Sequence, residues 1–166
     1  MRKTMPEVIQ ITESTPAALG RLLNGLGNPF AAGASVGIKI HWGERKNRCF
    51  LPPVYTRVIA HWLAAAGVRP FVFDTTVLYS GGRREATESL KTAALNGYTE
   101  AYLGCPLLIG DGLDGRDVLE IEAGYRHFPT VQAAAVIRKA DGFVLFSHFK
   151  GHLGAGFGGA IKNLSM

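Results

Sequence analysis

Short apolar runs along the chain alternate with longer segments in which apolar residues recur at helical spacing. The runs rich in β-branched and aromatic residues predict six strands, at 8–11, 35–40, 71–73, 106–109, 118–121 and 143–146. The helical segments, bounded by capping residues, prolines and glycines, predict helices at 16–26, 53–66, 83–96 and 130–140. This alternation predicts an α/β fold, with a mostly parallel sheet and helices on both of its faces. An apparent antiparallel pair within 106–122 makes the predicted sheet a mixed one.

Length and composition fit a single α/β domain over residues 1–166. The chain has 166 residues, of which 47% are hydrophobic and 19% charged, and this composition excludes a disordered chain. The net charge of +5 comes without a long basic run, so no nucleic-acid partner is expected. No stretch reaches the roughly 20 apolar residues of a membrane span, so no membrane partner is expected. The start of the chain lacks the pattern of a signal peptide, so we predict a cytoplasmic protein.

The glycine-rich stretch 151–159 follows the last predicted strand and is flanked by histidines and lysines. Its five glycines let the backbone come close to a ligand and expose its N–H groups. In an extended chain, His148, Lys150 and His152 fall on one face, which suits proton transfer and the binding of a small anionic ligand. The alternative is a flexible loop with solvated side chains. The candidate residues of this stretch are His148, His152 and Lys162 for catalysis, and Lys150, Gly154, Gly156, Gly158 and Gly159 for ligand binding.

Two other kinds of site in the same stretch are not predicted. His148 and His152 would share a metal ion only if the chain folded back at Gly151, because four extended residues span about 13 Å. We therefore predict no metal site. The segment 154–159 matches G-x-G-x-x-G, but the dinucleotide-binding motif also needs a following strand and an acidic residue about 20 positions on.

Further candidates lie where two other strands end, since ligands of α/β sheets bind beyond the carboxyl ends of the strands. His41 is a possible acid–base group that binds ligand. Asp74 is a candidate for ligand binding or for acting as a base; the alternative is that it caps a helix or a turn. Arg83 and Arg84 follow a glycine turn before a predicted helix, where free N–H groups attract anions; the alternative is a solvated surface turn.

The two cysteines, Cys49 and Cys105, are predicted to be free thiols. They have no partner at metal-site spacing, and two cysteines are too few to hold a four-thiolate iron–sulfur cluster. Three aspartates at 111, 114 and 117 recur among glycines, but their spacing is not that of a calcium loop. We interpret them as turn residues.

Four segments, 36–44, 73–83, 109–115 and 147–164, resemble in sequence and order a family of uncharacterised proteins. The last of them reads SHFKGHLGAGFGGAIKNL. That family is a domain of unknown function, usually fused to a C-terminal ferredoxin-type module with two 4Fe–4S clusters. The resemblance implies the N-terminal part of a longer architecture, whose cluster cysteines would follow Met166. It also implies a ligand- or cofactor-binding domain of an iron–sulfur redox protein, with a redox partner possible.

The last segment is also similar to the nickel-dependent lactate racemases. In that family, the residue corresponding to His152 moves a proton, and the one corresponding to Lys162 is the attachment point of a nickel pincer nucleotide cofactor. A complete racemase is not expected, because that site takes a further metal-binding histidine from beyond this segment. A racemase-like fragment is thus the alternative to the binding domain. A third hypothesis is that the segment 153–166 packs on another subunit of a homo-oligomer.

Overall fold

The computed structural model describes residues 8–166 and shows an α/β fold. The helices are α1 (Pro16–Leu26), α2 (Pro53–Ala65), α3 (Ala86–Leu95), α4 (Glu100–Leu103) and α5 (Ala160–Leu164), with one 3-10 helix at Ala135–Lys139. The strands are β1 (Ser35–Lys39), β2 (Arg69–Asp74), β3 (Leu107–Ile109), β4 (Val118–Glu122), β5 (Thr130–Ala134), β6 (Gly142–Leu145), β7 (Lys150–His152) and β8 (Gly156–Gly158).

A four-stranded parallel sheet forms the centre of the fold, in the order β3-β2-β1-β6. In its register, Ile38 of β1 lies beside Val72 of β2 and Val144 of β6. These side chains share one face of the sheet, where the apolar sides of α1 to α4 pack over them in the main core. The predicted fold class is thus confirmed. No helix among residues 8–166 has the length and apolar character needed to cross a bilayer.

The opposite face of the sheet carries an aromatic layer. Phe71 and Phe73 of β2 lie with their ring centres 5.8 Å apart, and Phe143 of β6 lies 5.9 Å from Phe73. The rings meet above Gly37, where an added Cβ would lie 2.9 Å from Phe71 and Phe73. The 3-10 helix covers part of this layer through Val136, so helices flank the sheet unevenly on its two faces.

Three sequence predictions are wrong in detail. Residues 130–140 form β5 and a 3-10 helix rather than an α-helix, because β5 pairs with β4 over five residues and Val136 packs against the aromatic layer. Residues 8–11 form no strand. The strands predicted within 106–122 do not pair with each other: β3 joins the parallel sheet, and β4 pairs antiparallel with β5.

The glycine-rich tail is more ordered than its composition indicates. The strands β7 and β8 pair antiparallel, with Lys150 opposite Gly158 and His152 opposite Gly156. Rings of Phe149 and Phe157 lie 5.5 Å apart on this hairpin. The short helix α5 then returns to the sheet beside β6. The hairpin and α5 thereby reach the carboxyl ends of the parallel strands.

Candidate functional site

A cavity of about 180 Å³ lies at the carboxyl ends of β1 and β2, under the β7–β8 hairpin and α5. In parallel sheets this edge is where side chains from several strands converge. We call it the cationic cavity. Its lining residues are Lys39, His41, Glu44, Cys49, Phe50, Asp74, Tyr79, Arg83, Ser147, His148, Lys150, His152, Gly158, Gly159, Lys162, Asn163 and Met166.

The floor of the cavity is a buried ion network centred on Asp74, the last residue of β2. One carboxylate oxygen accepts from Lys39 Nζ at 2.7 Å and the other from Arg83 Nη2 at 2.7 Å. Burial alone would raise the pKa of Asp74, but the charges of Lys39 and Arg83 outweigh burial and hold that pKa below its ordinary value. Asp74 is therefore an ionised carboxylate with each oxygen engaged by a cation.

Arg83 extends this network to the loop after β1. Its side chain is fully buried, and Nη1 donates to Glu44 at 2.9 Å. Burial disfavours the charged guanidinium, but the carboxylates of Asp74 and Glu44 prevail and raise the pKa of Arg83. The Nε atom of Arg83 has no hydrogen-bond partner within residues 8–166. The guanidinium is thus held by two carboxylates and is not free to follow a mobile ligand.

His41 lies beside Arg83 and is a neutral imidazole. Its Nδ1 accepts from the backbone N–H of Gly43 at 2.9 Å, and its Nε2 lies 3.0 Å from Arg83 Nη1. Burial, reinforced by the charge of Arg83, lowers the pKa of His41 to about 4. A neutral imidazole has one acceptor nitrogen; with Nδ1 accepting from Gly43, the ring proton is on Nε2, and Arg83 is a close neighbour there rather than a hydrogen-bond donor. With its lowered pKa, His41 shapes the cavity wall and has little capacity to take a proton near neutral pH.

The opposite wall carries side chains with few protein partners. On β7, Lys150 and His152 are half-buried and point to the cavity side, whereas Gly151 between them is exposed. The Nδ1 atom of His152 accepts from the backbone N–H groups of Gly154 and Ala155 at 3.2 and 3.1 Å. In the neutral ring, the proton of His152 is therefore on Nε2. The Nδ1 atom of His148 is buried without a hydrogen-bond partner within the described chain.

Asn163 of α5 ties this wall to the floor. Its amide nitrogen donates to the carbonyl of Lys39 at 3.1 Å and to the hydroxyl of Ser147 at 3.0 Å, and its amide oxygen accepts from Lys39 Nζ at 3.2 Å. The neighbouring Lys162 lies at the cavity, with Nζ 2.8 Å from the sulfur of Met166. A single amide thus fixes both the position of α5 and the placement of Lys162.

The charges of the lining do not balance. Lys39 and Arg83 are neutralised by Asp74 and Glu44, whereas no carboxylate within residues 8–166 forms an ion pair with Lys150 or Lys162. Two ammonium groups therefore face the cavity in excess. Within the same residues, no three His, Cys, Asp or Glu side chains form a group that could hold a metal ion.

The structure brings most of the sequence-predicted site residues to this one cavity. Arg84, Gly154 and Gly156 do not line it. Arg84 is exposed, and α3 begins at Ala86 rather than at the predicted residue 83, so neither arginine lies in the first turn of a helix. The predicted residues that do line the cavity are His41, Asp74, Arg83, His148, Lys150, His152, Gly158, Gly159 and Lys162.

Sequence reasoning missed Lys39, Glu44 and Asn163. Lys39 carried a signal, because it lies in an otherwise apolar run that predicts a buried strand. A lysine at such a position needs a buried partner of opposite charge. Asp74, at the end of the next strand, is that partner. Asn163 gave no comparable signal, since its role depends on a contact with Lys39 across 124 positions of the chain.

The family described as a domain of unknown function (DUF362) matches residues 36–166. No curated protein and no solved structure matches the chain. The match covers the parallel sheet except Ser35, and every residue that lines the cationic cavity.

Proposed function

The chain belongs to the DUF362 family of domains of unknown function, and we propose that its cationic cavity binds a small anion, a carboxylate or a phosphate. The observation that carries this proposal is the pair of lysines, Lys150 and Lys162, which face the cavity without carboxylate partners in the described chain. Ammonium groups that converge in a partly enclosed space attract an anion more strongly there than on an open surface.

Hydrogen bonding in the cavity supports the same proposal. In its neutral form, His152 offers an Nε2–H donor, because Nδ1 already accepts from the hairpin backbone. His148 and His152 are the candidate proton-transfer groups of the site, since burial and the charge of Arg83 keep His41 neutral and Asp74 is paired with two cations. The cavity thus offers charge for binding and two imidazoles for acid–base work.

We further propose that this domain serves an iron–sulfur redox protein as its ligand- or cofactor-binding part. The support is the sequence resemblance to proteins that carry a ferredoxin-type module. Cys49 is exposed and Cys105 is buried, and neither is disulfide-bonded, so these two thiols do not form a cluster site. The coding sequence downstream of Met166 tests this proposal, because a C-x₂-C-x₂-C-x₃-C-P run would support it and a stop codon would contradict it.

Cys49 gives a direct test of anion binding, because this exposed thiol lines the cavity. Its alkylation rates with iodoacetate, an anion, and with neutral iodoacetamide are compared by mass spectrometry. We expect the ratio of the iodoacetate rate to the iodoacetamide rate to be several-fold higher for Cys49 than for a free thiol. We also expect inorganic phosphate to slow the reaction of Cys49 with iodoacetate. Cys105 serves as the internal control, because burial raises the pKa of its thiol to about 11 and keeps it unreactive.

Variants make this test specific. The Lys150→Ala/Lys162→Ala double variant should reduce the iodoacetate preference to that of a free thiol, whereas Lys139→Ala, an exposed lysine outside the cavity, should leave it unchanged. Equal reagent preference in the wild type and the double variant, together with no heat on calorimetric titration with phosphate or acetate, would overturn the proposal.

A second candidate function is that of a racemase-like fragment, in which Lys162 attaches a pincer nucleotide. The observation that favours it is that His152 and Lys162 line the same cavity. The described residues supply an amine for attachment but no metal-ligand group of their own, so no step is assigned to a metal. Intact-mass spectrometry of protein from its native host tests it: an adduct lost in Lys162→Arg supports this function, and an unmodified mass rejects it.

A further inference from the structure

A second cavity, of about 570 Å³, opens on the aromatic face of the sheet. We call it the apolar cavity. Its volume lies in the range of about 300–1,000 Å³ that is typical of small-molecule sites. Most of its lining is hydrophobic. The lining residues are Lys39, Phe73, Phe143 and Leu145 of the sheet, Val131, Gln132, Ala133 and Ala134 of β5, Ile137 of the 3-10 helix, and Leu164, Ser165 and Met166 at the C-terminal end.

The apolar cavity adjoins the cationic cavity. Lys39 and Met166 line both of them. The ammonium of Lys39 lies 5.9 Å from the ring centre of Phe73 on the apolar side, and 3.2 Å from the Asn163 amide oxygen on the cationic side. The Lys39 side chain and Met166, just past the end of α5, therefore lie between an uncompensated cationic space and a ligand-sized apolar one.

We infer that the two cavities together bind one amphiphilic anion, with a carboxylate or phosphate head and an aliphatic or aromatic body. The head lies between Lys150 and Lys162, and the body lies against Phe73 and Phe143, passing beside Met166. This inference rests on the proposed function, from which it takes the head-group site. Charge selects the anionic end, and the hydrophobic lining selects the body, because burying apolar area is favourable and burying unpaired polar groups is not.

A series of straight-chain carboxylates, from acetate through butyrate and hexanoate to octanoate, tests the inference. Each acid is used below its micelle-forming concentration, and binding is read from the protection of Cys49 against iodoacetamide and from calorimetry. We expect affinity to rise by about three- to fourfold for each methylene that becomes buried. Octyl phosphate should behave like octanoate, whereas octanol, which has no charge, should bind much more weakly.

Two variants separate the parts of the site. Leu145→Ser and Phe143→Ser alter half-exposed positions of the apolar cavity and should abolish the gain with chain length while leaving acetate binding unchanged. Leu78→Ser, which changes a fully exposed leucine outside both cavities, is the control. Thermal melts establish that each variant is folded, and either of the two cavity variants suffices for the test.

The possible results distinguish this inference from the proposed function. If acetate binds and octanoate binds no more tightly, the amphiphile is excluded and the anion site stands. If no acid or phosphate binds, both fail. If sedimentation instead shows a dimer that Leu145→Ser dissociates, and chain length has no effect, the apolar cavity is covered by a second copy of the chain and the inference is overturned.

Discussion

The floor and the hairpin side of the cationic cavity differ in whether their charged groups are paired with one another. On the floor, Lys39, Asp74 and Arg83 are almost completely buried and are paired with one another at hydrogen-bond distance. On the hairpin side, Lys150 and Lys162 are only half-buried and have no carboxylate partners in the described chain. A buried charge that is fully paired holds the fold together, and an unpaired one at a cavity is available to a ligand. Substitutions should therefore affect stability on the floor and binding on the hairpin.

The largest expected loss of stability comes from Asp74→Asn. This change keeps the shape of the side chain but leaves Lys39 and Arg83 buried with less compensating charge, which costs about 3–5 kcal/mol. Urea denaturation measures it. The exposed Asp114→Asn is the matched control and should change stability by less than about 0.5 kcal/mol. Similar losses in both variants would show that the floor network is not a stabilising unit.

The next effect is a pH dependence caused by His41. Its pKa falls from 6.5 in the unfolded chain to about 4 in the folded protein. The folded state thus binds fewer protons than the unfolded state between these values, and stability is lost as the pH falls from about 6.5 to 4, by up to about 3 kcal/mol. Unfolding free energies measured across this range should show a steeper slope in the wild type than in His41→Gln. Equal slopes would place His41 in a solvated environment.

Asn163→Ala should have a smaller and more local effect. It removes the amide that joins α5 to Lys39 and Ser147, at a cost of about 1–2 kcal/mol. Hydrogen exchange should become faster in the β7–β8 hairpin and α5, while the strands β1 and β2 keep their protection. Uniformly faster exchange over the whole sheet would contradict the view that Asn163 fixes only the hairpin wall.

The smallest effect on stability is expected for Lys150→Ala and Lys162→Ala. Neither lysine has a carboxylate partner within residues 8–166, so each change should alter the free energy of unfolding by less than about 0.5 kcal/mol. Protection of Cys49 by phosphate should nevertheless be lost. A destabilisation comparable to that of Asp74→Asn would show that Lys150 and Lys162 are structural, and it would remove the contrast between the floor and the hairpin side of the cavity.

The part of the fold that follows from local pattern was predicted from the sequence. The strand β1, with its β-branched run, and the helix α1, with Thr15 as its cap, lie where the sequence places them, to within a residue. The error at residues 130–140 arose because alanines favour a helix in isolation, whereas pairing with β4 decides the outcome in the folded chain. Local propensity says little about which distant strand a segment pairs with.

In the candidate site, too, features carried by one short segment were predicted, and features that depend on distant contacts were not. The glycine-rich stretch indicated a ligand-binding loop with Lys150 and His152, because residue types and spacing are visible in one short segment, but it did not indicate the β7–β8 hairpin. The pairing that neutralises Arg83 was not visible, because Asp74 reaches it from the end of β2 and Glu44 from the loop after β1. Arg83 and Arg84 are neighbours in the sequence, yet one is fully buried and the other exposed. Only the packing of the strand ends distinguishes them.

The contact between Lys39 and Asn163 spans 124 positions of the chain, and this separation has a consequence for folding kinetics. The elements β1, α2 and β2 follow one another in the sequence, so their contacts close only short loops. The hairpin side forms its contacts with β1 only when residues from a distant part of the chain pack against the sheet. Loop closure over such distances is entropically costly and slow. The β1–α2–β2 unit therefore assembles before ligand-binding competence is acquired, and during refolding the recovery of binding should lag behind the recovery of secondary structure in this unit.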